Sequence, residues 1–259
     1  VKEAGKWLVK SWSQKSIKQK TRCDATGFDF VMKTNDAVII SFCDFWNCRK
    51  RCVKIQQRGV SVENCTFLRE KNDYQSTSAT ISVYDSNASV RNNYINGYSP
   101  IQISLCGASS DTDVLENVHI VGNTLKNTDV LLSQGIIQTS TSSTLKIKNL
   151  FIDSNVFIGN RDNTFGVVLN NDTEKSAIII TNNVFENIYM GVSLDYTSKD
   201  RSFYRGIIIR QNSFDVKYHA IIARGVMLYG LIATHNAFYC SSRLTGERRF
   251  FRNESGKIN

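Results

Sequence analysis

The sequence predicts an all-β solenoid, a column of stacked strands. Three observations carry that expectation. First, one short pattern recurs: an apolar residue, two variable residues, a small polar residue, one more residue, then an aromatic or aliphatic one. It reads Val90-Arg-Asn-Asn93-Tyr-Ile95, Ile120-Val-Gly-Asn123-Thr-Leu125, Ile152-Asp-Ser-Asn155-Val-Phe157, Ile180-Thr-Asn-Asn183-Val-Phe185, Ile209-Arg-Gln-Asn212-Ser-Phe214 and Ala233-Thr-His-Asn236-Ala-Phe238. Two earlier copies carry Cys in the Asn slot, Ile40-Ser-Phe-Cys43-Asp-Phe45 and Val62-Glu-Asn-Cys65-Thr-Phe67. The slot recurs at spacings of 22, 28, 30, 32, 28, 29 and 24 residues, and a period of that size means units that bury their apolar faces only against their neighbours. Second, the copies are rich in Ile, Val, Phe, Thr and Asn, with short apolar segments alternating with polar turns, which is a strand pattern. Third, the chain has one proline in 259 residues, and proline cannot donate to a strand ladder.

Each element of the repeat has its own reason. The slot Asn stands where the chain bends between two strands. Asn tolerates a left-handed backbone and bonds its own main chain there. Stacked rung on rung, these amides are expected to form an internal ladder. The Phe or Leu two residues later turns into the core. A second strand precedes each motif: Ile81–Asp85, Ile101–Ser104, Gly135–Thr139, Gly166–Asn170, Gly191–Asp195 and Ala220–Arg224. Alternation along these strands places Tyr84, Ser104, Thr139, Asn170, Asp195 and Arg224 in one outward row.

The Ile-x-x-Asn-x-Phe copies, with Gly-apolar-x-apolar segments between them, resemble the right-handed parallel β-helix of pectate lyases and phage tailspikes, over about residues 28–240. Thr26–Lys33 and Ala37–Cys48 resemble the start of a tailspike β-helix. The resemblance implies a single-stranded right-handed parallel β-helix with about eight or more coils and an N-terminal cap. The motif copies alone would span on the order of 40 Å at the strand spacing of about 4.8 Å. The domain organisation follows: residues 1–27 a basic N-terminal cap segment, 28–240 the β-helix, 241–259 a basic C-terminal tail. A leucine-rich frame, a hexapeptide period and Gly-Gly-x-Gly-x-Asp arrays are all missing, which removes the other repeat folds.

Charge narrows the partners. Net charge is +9 and the isoelectric point about 9.2, which favours an anionic partner. The positive residues gather at Lys2–Arg22 and Arg243–Arg252. No nucleic-acid-binding module and no membrane-length apolar run is present, so the basic ends read as solvated caps or as contacts to an acidic glycan or a partner protein, and neither nucleic acid nor membrane is expected. The chain opens on Val1 without a secretory signal pattern, which reads as a processed chain or an excised fragment. Seven cysteines without a Cys-x-x-Cys pair read as free, structural thiols kept in a reducing compartment, with Cys43 and Cys65 buried. That suits a virion protein, a phage tail component, better than a secreted or cell-surface enzyme. Trp7 and Trp12 at one end and Phe250 and Phe251 at the other read as surfaces to be covered in a homotrimer.

Candidate chemistry sits in the links that follow the second strands, since loops on a rigid scaffold accumulate function. Asn170–Lys175 and Asp195–Arg205 hold the needed residue types. Glycoside hydrolysis takes two carboxyls, one to protonate the leaving oxygen and one to activate water or attack carbon. Asp172, Asp195 and Asp200 are the candidates. Asp172 and Asp195, one coil apart and offset by two residues, would stand about 8 Å apart, within the inverting range. Asn170, Arg201, Arg205 and Arg224 are candidate substrate-binding groups, with Tyr196 and Tyr204 to stack on sugar rings. A lyase would instead use a base such as His219 or Tyr204 and cations such as Lys199, Arg205 and Arg224. No metal or cofactor is expected. The expected function is a tailspike-like depolymerase that binds and hydrolyses a bacterial surface polysaccharide. A non-catalytic tail or adhesin β-helix is the first alternative, and a secreted lyase or uronate epimerase the second.

Overall fold

A computed structural model of the chain describes residues 2–3, 6–7, 37–46, 51–69, 79–97, 101–106, 114–127, 134–139, 145–170, 174–195, 203–239 and 249–254. Apart from one two-stranded antiparallel pair, Lys2–Glu3 with Lys6–Trp7, the described strands stack in parallel as a solenoid with three faces. No described residue is helical, and no helix is long and apolar enough to cross a membrane. Face A holds the strands that lead into the Asn slot. Its eight members are Val38–Ser41, Val60–Glu63, Ser89–Arg91, Val114–Val121, Lys146–Asp153, Lys175–Thr181, Phe203–Arg210 and Met227–Thr234. Face B holds the short strands after the slot, such as Thr66–Leu68, Tyr94–Asn96 and Val156–Ile158. Face C holds Val53–Ile55, Ile81–Val83, Ile103–Leu105, Gln134–Thr139, Thr164–Asn170 and Arg249–Glu254. Two long strands, Val184–Asp195 and Ser213–Arg224, run from face B into face C without a break. The last face C strand, Arg249–Glu254, lies within the expected C-terminal tail and pairs in parallel with Ser213–Arg224.

The core is a set of like-on-like columns, because in-register parallel strands put equivalent residues one rung apart. On face B the column runs Phe45, Phe67, Ile95, Leu125, Phe157, Phe185, Phe214 and Phe238. Phe157, Phe185 and Phe214 stack at 4.5 and 4.6 Å between centroids, nearly parallel. Such stacks add about 0.5–1.5 kcal/mol each beyond the area they bury. Gly166 and Gly191 make room for them, since a Cβ at either position would come within 2.6 Å of Phe185 or Phe214. Phe250 packs edge-on against Phe214 and Phe238, 6.3 Å from each. The terminal aromatic residues Phe250 and Phe251 thus pack against the chain's own core, which corrects the expectation that they await a partner subunit.

The Asn ladder forms as expected. Asn155 and Asn183 are buried. Asn155 Nδ2 donates to Ile120 O at 2.8 Å and to Asn183 Oδ1 at 3.0 Å, while its own Oδ1 accepts from Asn123 N at 2.9 Å. The same set of bonds continues from Asn93 through Asn236. Cys65 ends the ladder: its backbone N donates to Asn93 Oδ1. The hydrogen bond with Cys43, together with burial, pushes the Cys65 thiol far above its ordinary range and keeps it protonated. The left-handed residue, however, is the one before the slot, not the slot Asn itself. Phe42, Asn64, Asn92, Gly122, Ser154, Asn182, Gln211 and His235 all carry φ near +50° to +70°. The bend is made one residue early, which frees the slot amide to turn inward and satisfy the backbone groups that the bend leaves unpaired.

A second bend column opens face A. Gly59, Asn87, Asn117, Asn149, Ala177, Gly206 and Gly230 sit three residues before the motif's apolar position, and each has positive φ. Upstream of this bend an inward column runs Leu115, Ile147, Lys175, Tyr204 and Leu228. Lys175 and Tyr204 are fully buried there, with the ammonium 5.0 Å from the ring centroid and the phenol donating to Leu169 O.

Candidate functional site

The sequence-derived candidates lie where face C ends. Asn170 pairs with Asp195, Leu194 with Ala223, and Arg224 with Glu254, so Asn170, Asp195 and Arg224 share one row. Tyr84 belongs to the same row, beside Cys106, because Val83 pairs with Leu105. The expected row fails at two members. Ser104 pairs with Ser82 and Gln138, two positions earlier. Thr139 stands one position earlier and is buried. Gly135 pairs with Phe165 rather than with Gly166, so the glycines that looked equivalent are not, and a one-residue slip moves a side chain to the other face. Nor is the middle of face C an open groove: Ser82, Ser104, Val168, Ser193 and Ile222 are buried although they alternate with the core residues.

Individual candidates fare differently. Asp172, Tyr196, Asp200 and Arg201 lie outside the described residues, as does the side chain of Asp195. Asn170 is tied down by Thr139, whose hydroxyl lies 2.6 Å from Asn170 Oδ1 and accepts from Asn170 N at 2.8 Å. Arg205 is exposed, 3.6 Å from Glu174 Oε1 and over the Tyr229 ring. Tyr204 is corrected: its ring is walled into the core column, so it offers no platform to a sugar and no base to a lyase. The alternation of the strand turns it inward because the bend at Gly206 inverts the side-chain pattern that the motif alone suggests. His219 is also buried, with Nε2 3.4 Å from Arg252 Nη1.

A denser cluster sits at the corner between faces B and C, on three consecutive rungs. On the first rung, residues 160–163 form a closed turn. Asn160 O accepts from Thr164 N at 2.9 Å, Asn160 Oδ1 from Asp162 N at 2.9 Å, and Thr164 Oγ1 from Asn160 N at 2.8 Å. This turn presents Arg161 and Asp162. The next two rungs are the unbroken long strands, and their pairing slips twice, between Phe185 and Ile188 and again between Ile188 and Met190. Glu186 and Asn187 therefore oppose Asp215, and Tyr189 opposes Lys217 and Tyr218. Asn187 takes φ of 55° to make the bend. Irregularities of this kind re-aim side chains.

The side chains knit the rungs along the solenoid axis. Arg161 donates through Nε to Asn187 Oδ1 at 2.7 Å and through Nη2 to the Asp215 carboxylate, two rungs away. Lys217 Nζ reaches back to Asp162 Oδ1 at 2.6 Å, passing 5.9 and 5.8 Å from the Tyr189 and Tyr218 centroids. Phe165 meets Tyr189 edge-on at 5.5 Å, and Tyr189 meets Tyr218 at 4.8 Å with a 56° tilt. All three rings are half-buried. The Asp162 carboxylate holds the Lys217 ammonium's pKa above its ordinary value. Burial, then the neighbouring Tyr218, push the Tyr189 phenol up, so it stays neutral and able to donate. Glu186 is exposed, one rung from Asp215, and the strongly exposed Tyr239 pairs with Asp215 on the other side. The corner thus offers stacked aromatic surface, two carboxyls on neighbouring rungs, and phenol groups for hydrogen bonding. Among the described residues, no group of three or more His, Cys, Asp or Glu is placed to hold a metal. A signal for this corner was present: Phe185-Glu-Asn-Ile-Tyr189 and Phe214-Asp-Val-Lys-Tyr218 repeat an acid one residue after the motif Phe and a Tyr four after.

Residues 28–226 match the family model of the right handed beta helix region. The chain belongs to the right-handed β-helix family. The match covers most of the stacked strands and both long strands up to Val226, and it supports the hand that parallel crossovers almost always take. No curated protein matches the chain, so the family speaks to the fold, and the site must speak to the chemistry.

Proposed function

We propose that this β-helix is carbohydrate-active. It holds a bacterial surface polysaccharide along the face B–C corner and cleaves it by hydrolysis, in the manner of a tailspike depolymerase carried on a virion as a homotrimer. The observation that carries the reading is the conjunction, on consecutive rungs, of three half-buried aromatic rings and two neighbouring carboxyls. Aromatic faces take the apolar faces of sugar rings, and polar groups at their edges take the hydroxyls. Glu186, exposed and with no side-chain bonding partner among the described residues, is the proton donor to the leaving oxygen. Asp215, oriented by Arg161, is the second carboxyl. One rung is about 4.8 Å, close to the carboxyl separation of about 5–5.5 Å that retaining enzymes use. Asp172, Asp195 and Asp200, with Asn170, Arg205 and Arg224, are the competing set read from the sequence. The free thiols Cys43, Cys52, Cys65 and Cys106 support assembly in a reducing compartment.

The test is a reducing-end and ultraviolet-absorbance assay on a panel of capsular and O-antigen polysaccharides. Hydrolysis releases reducing ends without absorbance, and Glu186→Gln should lower the rate by about 100-fold or more. Loss with Asp195→Asn or Asp200→Asn instead moves the chemistry to the other corner. Absorbance assigns a lyase. Silence on every substrate, with binding retained, leaves a non-catalytic receptor-binding β-helix.

A further inference from the structure

The net charge of the chain points to an acidic glycan, but the corner itself points elsewhere. Resting on the carbohydrate reading above, we infer that the glycan segment held at this corner is uncharged: neutral hexoses or N-acetylhexosamines, not uronates or sialates. The chain as a whole carries +9. Among the described side chains around the three rings that excess vanishes. The described charged side chains there are Asp162, Glu186 and Asp215 against Arg161, Lys217 and Arg252, three of each sign, from the turn, from both long strands and from the last face C strand.

The cations are also engaged. Arg161 is shared between Asn187 and Asp215, Lys217 is bonded to Asp162, and Arg252 lies against His219. Arg161 and Lys217 each already hold an internal carboxylate at hydrogen-bond distance, and a uronate would have to compete with it. The nearest charge on the face B column beyond Glu186 is Lys126, two rungs off and separated by Ile158. Among the described residues no cation pairs with Glu186, which would repel an incoming carboxylate. The ring faces carry negative quadrupole density and would repel it as well. What remains attractive is the apolar face of a sugar against Phe165, Tyr189 and Tyr218, with phenol groups at the rim.

A glycan array of bacterial surface polysaccharides, neutral and uronate- or sialate-bearing, tests this with the whole chain. The expected result is retention of neutral polysaccharides. Their affinity should change less than about twofold between 0.05 and 0.5 M NaCl, since screening acts only on charge. Tyr218→Ala should weaken that binding about tenfold while Tyr218→Phe preserves it, because the stacked face and not the hydroxyl supplies most of the contact. Thermal melts of both variants separate loss of contact from loss of fold. Retention of acidic polysaccharides that falls with salt and with Tyr218→Ala overturns the inference and leaves the carbohydrate reading standing. Binding indifferent to both Tyr189→Ala and Tyr218→Ala removes the corner as the site. Silence across the whole array overturns the carbohydrate reading and the inference together.

Discussion

Face A is entered and left through two columns of left-handed residues, and the columns make different demands on the side chain. At the exit the strain falls on the residue before the slot, and the slot amide turns inward. Six Asn in succession, Asn93 to Asn236, repeat the same bonds. At the entrance the left-handed residue keeps its own side chain outside. Asn117 Nδ2 donates to Asn87 Oδ1 at 2.9 Å and Asn149 Nδ2 to Asn117 Oδ1 at 3.0 Å. There the ladder stops: the next rungs carry Ala177, Gly206 and Gly230. The two columns differ in where the ladder amide stands, on the left-handed residue at the entrance and one residue after it at the exit, and in its burial. Water replaces a missing amide at the entrance, whereas nothing replaces it at the exit.

The comparison breaks most visibly at Asn155. Replacing it with Leu strands Asn123 N and Ile120 O as well as the neighbouring amides, and should cost about 4 kcal/mol, since each stranded buried group costs about 1–3 kcal/mol. Urea denaturation reads this directly. The matched change at the entrance, Asn149→Ala, should cost about 1 kcal/mol, for the amide that eases the left-handed backbone and bonds Asn117 is lost where water can replace it. Equal costs at the two positions would dissolve the distinction.

Next in size is Ala177, which holds φ of 52° with no polar side chain to help. Ala177→Gly should stabilise the fold by about 1 kcal/mol by relieving that strain, seen as a higher melting temperature. Cys65→Asn sharpens the exit column, because its backbone N already donates to Asn93 Oδ1. Completing the ladder by one rung should add about 1 kcal/mol, and a drop in the melting temperature would show that the small thiol is there for volume.

The smallest effect is one of pH. Asp153 lies outside the exit column, accepting from Thr181 Oγ1 at 2.6 Å, Asn182 Nδ2 at 2.8 Å and Ser154 Oγ at 3.0 Å. Burial raises its pKa, but these three donors outweigh burial and bring it below the ordinary carboxylate value. A depressed folded-state pKa stabilises the fold above the unfolded-state pKa, and that contribution is lost as pH falls through the folded value. Asp153→Asn should therefore flatten the acid limb of stability against pH while leaving its neutral-pH shape unchanged. An unaltered acid limb would mean that solvent screens the carboxylate fully.

Much of the fold was legible in the residues. The slot spacing, the Phe that follows it and the inward amides could be read because a stacked repeat writes the same solution on every rung. The candidate site was less legible. Asn170, Asp195 and Arg224 aligned correctly because Gly166, Gly191 and Ala220, four residues before them, are equivalent positions. Ser104 and Thr139 did not, because the corner before their strands differs in length. Tyr204 was misread as a platform because the expected link runs to Arg205, whereas the strand already begins at Phe203 and turns Tyr204 into the core. The aromatic corner escaped because its parts are spread over Arg161 to Tyr218, and only the rung spacing brings them together.

By itself the sequence determined the class of fold, the repeating unit, the ladder and the columns that fill the core. Those follow from local chemistry repeated at a period: an apolar residue, a bend, an amide and a ring. Only the tertiary structure decided which face each polar side chain occupies, because a single extra residue at a corner or a slip in pairing inverts the pattern beyond it. It alone decided that Arg161 and Lys217 are paired, with Asp215 and Asp162 two rungs away and more than fifty residues along the chain. Charge pairing depends on distance in space, and a count along the chain has no access to it.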